Sequence, residues 1–137
     1  MEKYTIENDI HVFCITAESF PEGVLQAHEK LHSLVPYSEE RKYFGLSRPE
    51  KDKIVYKAAA EEIHAGEAEK LGLEKLVIKK GEYISTLLKD YKKDIPSIGR
   101  TFQDLIHYKG IDPEGYCVEW YINFNDMWCM VRLKDRD

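Results

Sequence analysis

Tyr116-Cys117-Val118-Glu119-Trp120-Tyr121-Ile122, followed across Asn123-Phe124-Asn125-Asp126 by Met127-Trp128-Cys129-Met130-Val131-Arg132-Leu133, reads as two strands joined by a tight polar loop. Aromatic and β-branched side chains favour extended backbone, and Asn and Asp favour the turn. Alternation along the first strand puts Cys117, Glu119 and Tyr121 on one face and Val118, Trp120 and Ile122 on the other. A lone carboxylate in such a run is costly to desolvate. Glu119 therefore pairs with Arg132 or Lys134 on the next strand, reaches water at an edge, or stands ready for an incoming cation.

Upstream of the hairpin, Ile98, Phe102, Leu105 and Ile106 form a helical stripe after Asp94 and Pro96, with Gly110 placed to end it. Glu82 to Leu88 is strand-like, so this half runs strand, helix, strand, strand. The same order occurs earlier. His11 to Ala17 reads as a strand, and Ser19-Phe20-Pro21-Glu22 has capping-box spacing before a helix with Val24, Leu31, Leu34 and Val35 on one stripe. Pro36 stops that helix, and Arg41 to Ser47 and Lys53 to Glu62 follow as strands joined by the charged turn Arg48 to Asp52. Ala65 to Leu76 reads as a connector with one helical turn. The predicted fold class is α+β: duplicated βαββ halves, approximately 9–63 and 76–133 of a single domain 1–137, forming a concave antiparallel sheet with two packed helices. A groove between such halves is the expected pocket.

Composition narrows the function classes. With 43% hydrophobic and 33% charged residues, 137 residues suffice for one core. No apolar run reaches the length of a membrane span and Met1-Glu2-Lys3-Tyr4 lacks signal-peptide character, so a cytoplasmic protein is expected. Net charge is −5 and the lysines alternate with acids, which argues against direct nucleic-acid binding. Lys89-Asp90-Tyr91-Lys92-Lys93 reads as a solvated loop. Cys14, Cys117 and Cys129 lack metal-ligand spacing and read as reduced core thiols.

Three segments resemble the GyrI-like small-molecule-binding family, which includes the effector-binding domains of bacterial multidrug-sensing transcription activators. They are Lys42-Tyr43-Phe44-Gly45-Leu46 with Ile54-Val55-Tyr56-Lys57-Ala58; Gly72-Leu73-Glu74 through Val77-Ile78-Lys79-Lys80-Gly81-Glu82-Tyr83; and Val118-Glu119-Trp120-Tyr121-Ile122, which is similar to the family's Glu-x-Tyr strand. The chain departs from the family in its loop at Asn123 to Asp126 and its ending Val131-Arg132-Leu133-Lys134. The resemblance implies a stand-alone domain for lipophilic aromatic, often cationic, compounds, with Glu119 as the central buried pocket carboxylate. It also implies an alternative, a hydrolase of small xenobiotic compounds using the same glutamate.

The residues fit either role. A carboxylate ringed by aromatic faces neutralises an organic cation and adds cation-π contacts, and Tyr121, Tyr83, Tyr56 and Trp128 are the predicted ring. As an enzyme, Glu119 would act as general base or acid, with Tyr121 holding water or donating to a developing anion. No cofactor is expected. A third reading is metal-based: His28-Glu29-Lys30-Leu31-His32 matches H-E-x-x-H, the helix of zinc hydrolases, though packing histidines are the expected outcome and no metal site is assigned. The expected partner is a small molecule, with a protein partner also open and the oligomeric state unspecified.

Overall fold

The computed structural model describes residues 1–135. Among these residues, eight strands and three α-helices succeed one another as β1 (Glu2–Ile6), β2 (Ile10–Thr16), α1 (Val24–Leu34), β3 (Tyr43–Glu50), β4 (Lys53–Glu61), α2 (Glu67–Leu71), β5 (Glu74–Ile78), β6 (Gly81–Leu88), α3 (Pro96–Leu105), β7 (Cys117–Tyr121) and β8 (Met127–Arg132). A short 3-10 turn at Tyr91–Asp94 precedes α3. The class is α+β with antiparallel pairing, as expected. The chain divides into two compact units, Asp9–Ile78 and Met1–Asn8 together with the chain from Lys79 onward.

Each unit contains the expected strand-helix-strand-strand order, with one further strand that the sequence reading missed. In the first unit the strands pair β5-β2-β4-β3, and in the second β1-β6-β8-β7. The extra strand of each unit comes from outside its βαββ segment: β1, at the start of the chain, joins β6, and β5 turns back to β2. These two strands are Glu2-Lys3-Tyr4-Thr5-Ile6 and Glu74-Lys75-Leu76-Val77-Ile78, alike in sequence and in burial, with only the terminal isoleucine fully inside. The registers repeat as well. One rung of the first unit reads Glu74, Cys14, Ala59, Phe44, and the matching rung of the second reads Glu2, Ser85, Met130, Val118. The next position along β3 is Gly45 and along β7 is Glu119, so the duplication supplies that carboxylate once.

Local differences from the expected elements have physical causes. The Ser19–Glu22 capping box does not form. Gly23 caps α1 without a side-chain hydrogen bond, and its amide donates to the Ser19 carbonyl at 3.2 Å. A Cβ there would sit 2.8 Å from that carbonyl oxygen, so only glycine fits the turn. α1 buries Ala27 and Leu31 and ends at the buried Val35, while the expected stripe member Leu34 is 42% exposed. β3 continues through Pro49 instead of stopping at Ser47, because Pro49 faces Ile54 beside the closing pair Glu50–Lys53, where an antiparallel ladder needs no amide donor. α3 starts at Pro96 as expected but stops at Leu105, and Gly110 lies in the following loop with φ +98°. Ile98, Phe102 and Leu105 pack α3 onto Ile84, Met127, Cys129 and Val131, whereas Ile106 is outside that cluster.

Lys51 and Asp52 form the β3–β4 turn with φ of +49° and +69°, a left-handed pair that Asn-Gly adopts with less strain. The double substitution Lys51→Asn, Asp52→Gly is expected to raise unfolding free energy by about 1 kcal/mol in urea titrations. His28 on α1 lies 2.7 Å from the Tyr56 hydroxyl on β4, and burial, with a smaller contribution from His32, lowers its pKa to about 4. The fold therefore holds neutral His28, and the unfolded chain binds the proton more readily. Stability is fully present above the unfolded value near 6.5 and declines as pH falls toward 4. Between pH 7 and 4.5, wild type should lose about 2 kcal/mol more than His28→Gln. Equal acid losses in the two proteins would remove His28 as the cause.

Candidate functional site

The site assembles from β7, β8 and the 3-10 turn of the second unit. Glu119 faces Cys129 across the ladder, Cys117 faces Val131 and Tyr121 faces Met127, so these six side chains share one side of the strands. That side carries α3, since Cys117 and Tyr121 pack against the cluster that holds Leu105. The Tyr121 hydroxyl, two residues along the same strand, donates a hydrogen bond to Glu119 Oε1. Glu119 is half-buried, so the expected buried carboxylate is corrected to one that is flanked by side chains and still reaches solvent.

Its charge is felt by its neighbours. Burial, reinforced by the Glu119 carboxylate, pushes the Cys117 thiol up to about 11 and raises Cys129 further. Both thiols are thereby held as neutral S–H groups, consistent with reduced core cysteines. Cys14 in the first unit is likewise pushed up to about 12 by burial and by Glu74.

Tyr91 is the site residue that sequence reasoning missed. Its ring lies 5.9 Å from that of Tyr121 at 54°, and burial followed by the Glu119 charge raises its phenol pKa. The turn that carries it is fixed to the β7–β8 loop. The Tyr91 amide donates to the Asn125 carbonyl at 3.0 Å, and the Asp90 amide to Asp126 Oδ1 at 3.0 Å. Asn123 Oδ1 in turn accepts the amides of Asn125 and Asp126 at 2.7 and 2.8 Å, which shapes that loop. A single aromatic within the lysine-rich run 89–93 was the available signal.

The predicted aromatic ring separates. Trp128 faces Trp120, one step out of phase with Glu119, and therefore stands on the opposite side of the strands. Both indoles contact Tyr4 of β1 at 5.8 Å between ring centroids. The cause is loop length: the turn takes five residues, Ile122 to Asp126, where the sequence reading used four, and a one-residue register shift changes the face. Tyr83 faces Tyr4 and Arg132 on that same opposite side, is 2% exposed, and donates its hydroxyl to the Lys79 carbonyl at 2.6 Å. Tyr56 belongs to the first unit, buried at 2% exposure against His28 and stacked with Phe20 at 5.9 Å.

The H-E-x-x-H helix has a packing role. His28 meets Tyr56, His32 sits beside Tyr43 at 5.0 Å between ring centroids, and Glu29 is exposed. Among the described residues, no three His, Cys, Asp or Glu side chains come together as a metal donor set. No described helix is long and apolar enough to cross a membrane.

Neither a protein-family model nor a curated protein matches this sequence. Solved structures do match its fold. An integron cassette protein from the mobile metagenome of Vibrio cholerae superposes with a TM-score of 0.73 at 12% identity, covering 97% of this chain and 95% of that one. SAV2435, solved bound to tetraphenylphosphonium, superposes with a TM-score of 0.65 at 12% identity, covering 96% and 93%. A Staphylococcus aureus MU50 protein named for bacterial transcription regulation gives 0.59 at 11% identity, covering 96% and 97%. At these identities the likeness is one of fold, and it is consistent with the GyrI-like fold that the sequence resembles.

Proposed function

We propose that this chain is a GyrI-like small-molecule-binding domain that takes lipophilic aromatic cations at Glu119. The observation that carries the proposal is the half-buried carboxylate bonded to the Tyr121 hydroxyl, with the Tyr91 ring alongside. Support also comes from SAV2435, a protein of the same fold solved with a cationic aromatic compound. The Tyr121 bond occupies one acceptor position of the carboxylate and leaves its charge in place, because a phenol donor is neutral. Charge neutralisation supplies the main attraction, and each aromatic face adds about 0.5 to 2 kcal/mol through cation-π contact. Stacking tolerates varied ligand shapes, which suits a broad range of compounds. Trp128 and Tyr83 have no part in this binding, since they stand on the other side of the strands.

A hydrolytic reading rests on the same Tyr121–Glu119 bond, which holds a carboxylate and a hydroxyl in one place. In that reading Glu119 activates water and Tyr121 donates to the developing oxyanion.

Isothermal titration with tetraphenylphosphonium separates these readings. Wild type should bind saturably, Glu119→Gln should weaken binding by about tenfold or more, and Tyr91→Ala by about threefold, in line with the loss of one charge and one ring face. Binding unchanged in Glu119→Gln would overturn the proposal. Turnover of aryl esters that disappears in Glu119→Gln would establish the hydrolase instead.

A further inference from the structure

The second unit holds a cavity of about 440 Å³ away from Glu119, lined by Lys3, Gly81, Tyr108, Lys109, Gly110 and Lys134, with Glu82, Leu133 and Asp135 completing its wall. Its volume is within the range of small-molecule sites. We propose that this cavity binds a small organic oxyanion, a phosphate ester or carboxylate with an apolar body, through the ammonium groups of Lys109 and Lys134. The proposal is independent of the Glu119 site.

The charge balance of the wall is the reason. Glu82 is loosely paired with Lys3 at 3.9 Å, and Asp135 with Arg132 at 2.9 Å. Arg132 is fully committed within the protein: its guanidinium donates to the Lys80 carbonyl at 2.9 and 3.1 Å and pairs with Asp112 at 3.3 Å. Lys109 and Lys134 are exposed and, among the described residues, have no acidic side chain within ion-pair distance. Among the described residues, the four cations Lys3, Lys109, Lys134 and Arg132 thus face the three acids Glu82, Asp112 and Asp135, a local positive excess at one concavity of a chain whose net charge is −5. At physiological ionic strength charges more than about 8 Å apart are largely screened, so this local positive excess outweighs the distant acid.

Backbone hydrogen bonds hold the two lysines together. The Lys134 amide donates to the Gly110 carbonyl at 2.8 Å, and the neighbouring Leu133 amide to the Glu82 carbonyl at 2.8 Å. Gly110, at φ +98°, makes the bend that presents Lys109 beside this strand end. Gly81 lies at φ +133°, and a Cβ there would meet the Arg132 guanidinium at 3.0 Å, so the wall stays free of a side chain at that point. Half-buried Tyr108 and Leu133 supply an apolar surface for the body of the ligand.

The test is an amide-resolved NMR titration with phenyl phosphate, and in parallel with benzoate, at constant ionic strength. Saturable shifts at the amides of Gly81, Gly110 and Lys134 are expected with at least one of the two, and the Kd should rise about tenfold in Lys109→Gln, Lys134→Gln. Saturating tetraphenylphosphonium should not displace either anion, which keeps this outcome separate from that of the Glu119 site. Shifts of equal affinity in the double variant, or none at millimolar concentrations of both anions, would overturn the proposal. Both substitutions are at exposed positions, so fold loss does not cloud the result.

Discussion

Register between β7 and β8 is the constraint on which the functional reading depends. With Glu119 opposite Cys129, the carboxylate shares a side of the strands with Tyr121 and with helix α3; with Trp120 opposite Trp128, the two indoles share the other. Side chains repeat every second residue in a strand, so moving the pairing by a single position would exchange these environments completely. The five-residue loop and its Asn123-centred hydrogen bonds hold the register in place. The same loop anchors Tyr91, so one local arrangement sets both the face of the carboxylate and its aromatic neighbour.

The strand pairing repeats between the two units, while the candidate site belongs to one of them. Corresponding rungs in the two units carry matching positions, and β1 and β5 repeat the same Glu-Lys-x-x-Ile pattern. Where β7 carries Glu119, the equivalent place on β3 is glycine, and the first unit instead buries Tyr56 against a neutral histidine. Its polar groups serve internal pairing: Lys57 holds Glu74 with two contacts of 2.8 and 2.9 Å, and Arg41 holds Glu67 at 2.8 Å. The second unit retains the half-buried acid whose charge extends to two thiols and a phenol.

Much of this was legible in the sequence. The two βαββ runs follow from hydrophobic periodicity, and the Glu119–Tyr121 association from their spacing of two on one strand. Edge strands β1 and β5 escaped because three of their five residues are exposed, which leaves little alternation to read; comparing the two pentapeptides with each other was the signal that remained. Trp128 was misplaced because loop length, invisible to propensity, decides which face it takes. Tyr91 was passed over because its lysine neighbours suggested solvent, and only tertiary hydrogen bonds bring it to Glu119's side. H-E-x-x-H was legible as a motif, whereas the contacts of its two histidines with Tyr56 and Tyr43 come from tertiary packing that spacing does not reveal.

A guest on the Glu119 side of β7 meets phenol rings, and one on the other side meets indoles. Intermolecular nuclear Overhauser effects between the phenyl protons of bound tetraphenylphosphonium and the protein's aromatic rings measure this directly. Contacts to Tyr91 and Tyr121 are expected; contacts to the indoles of Trp120 and Trp128 in their place would rule out binding at Glu119.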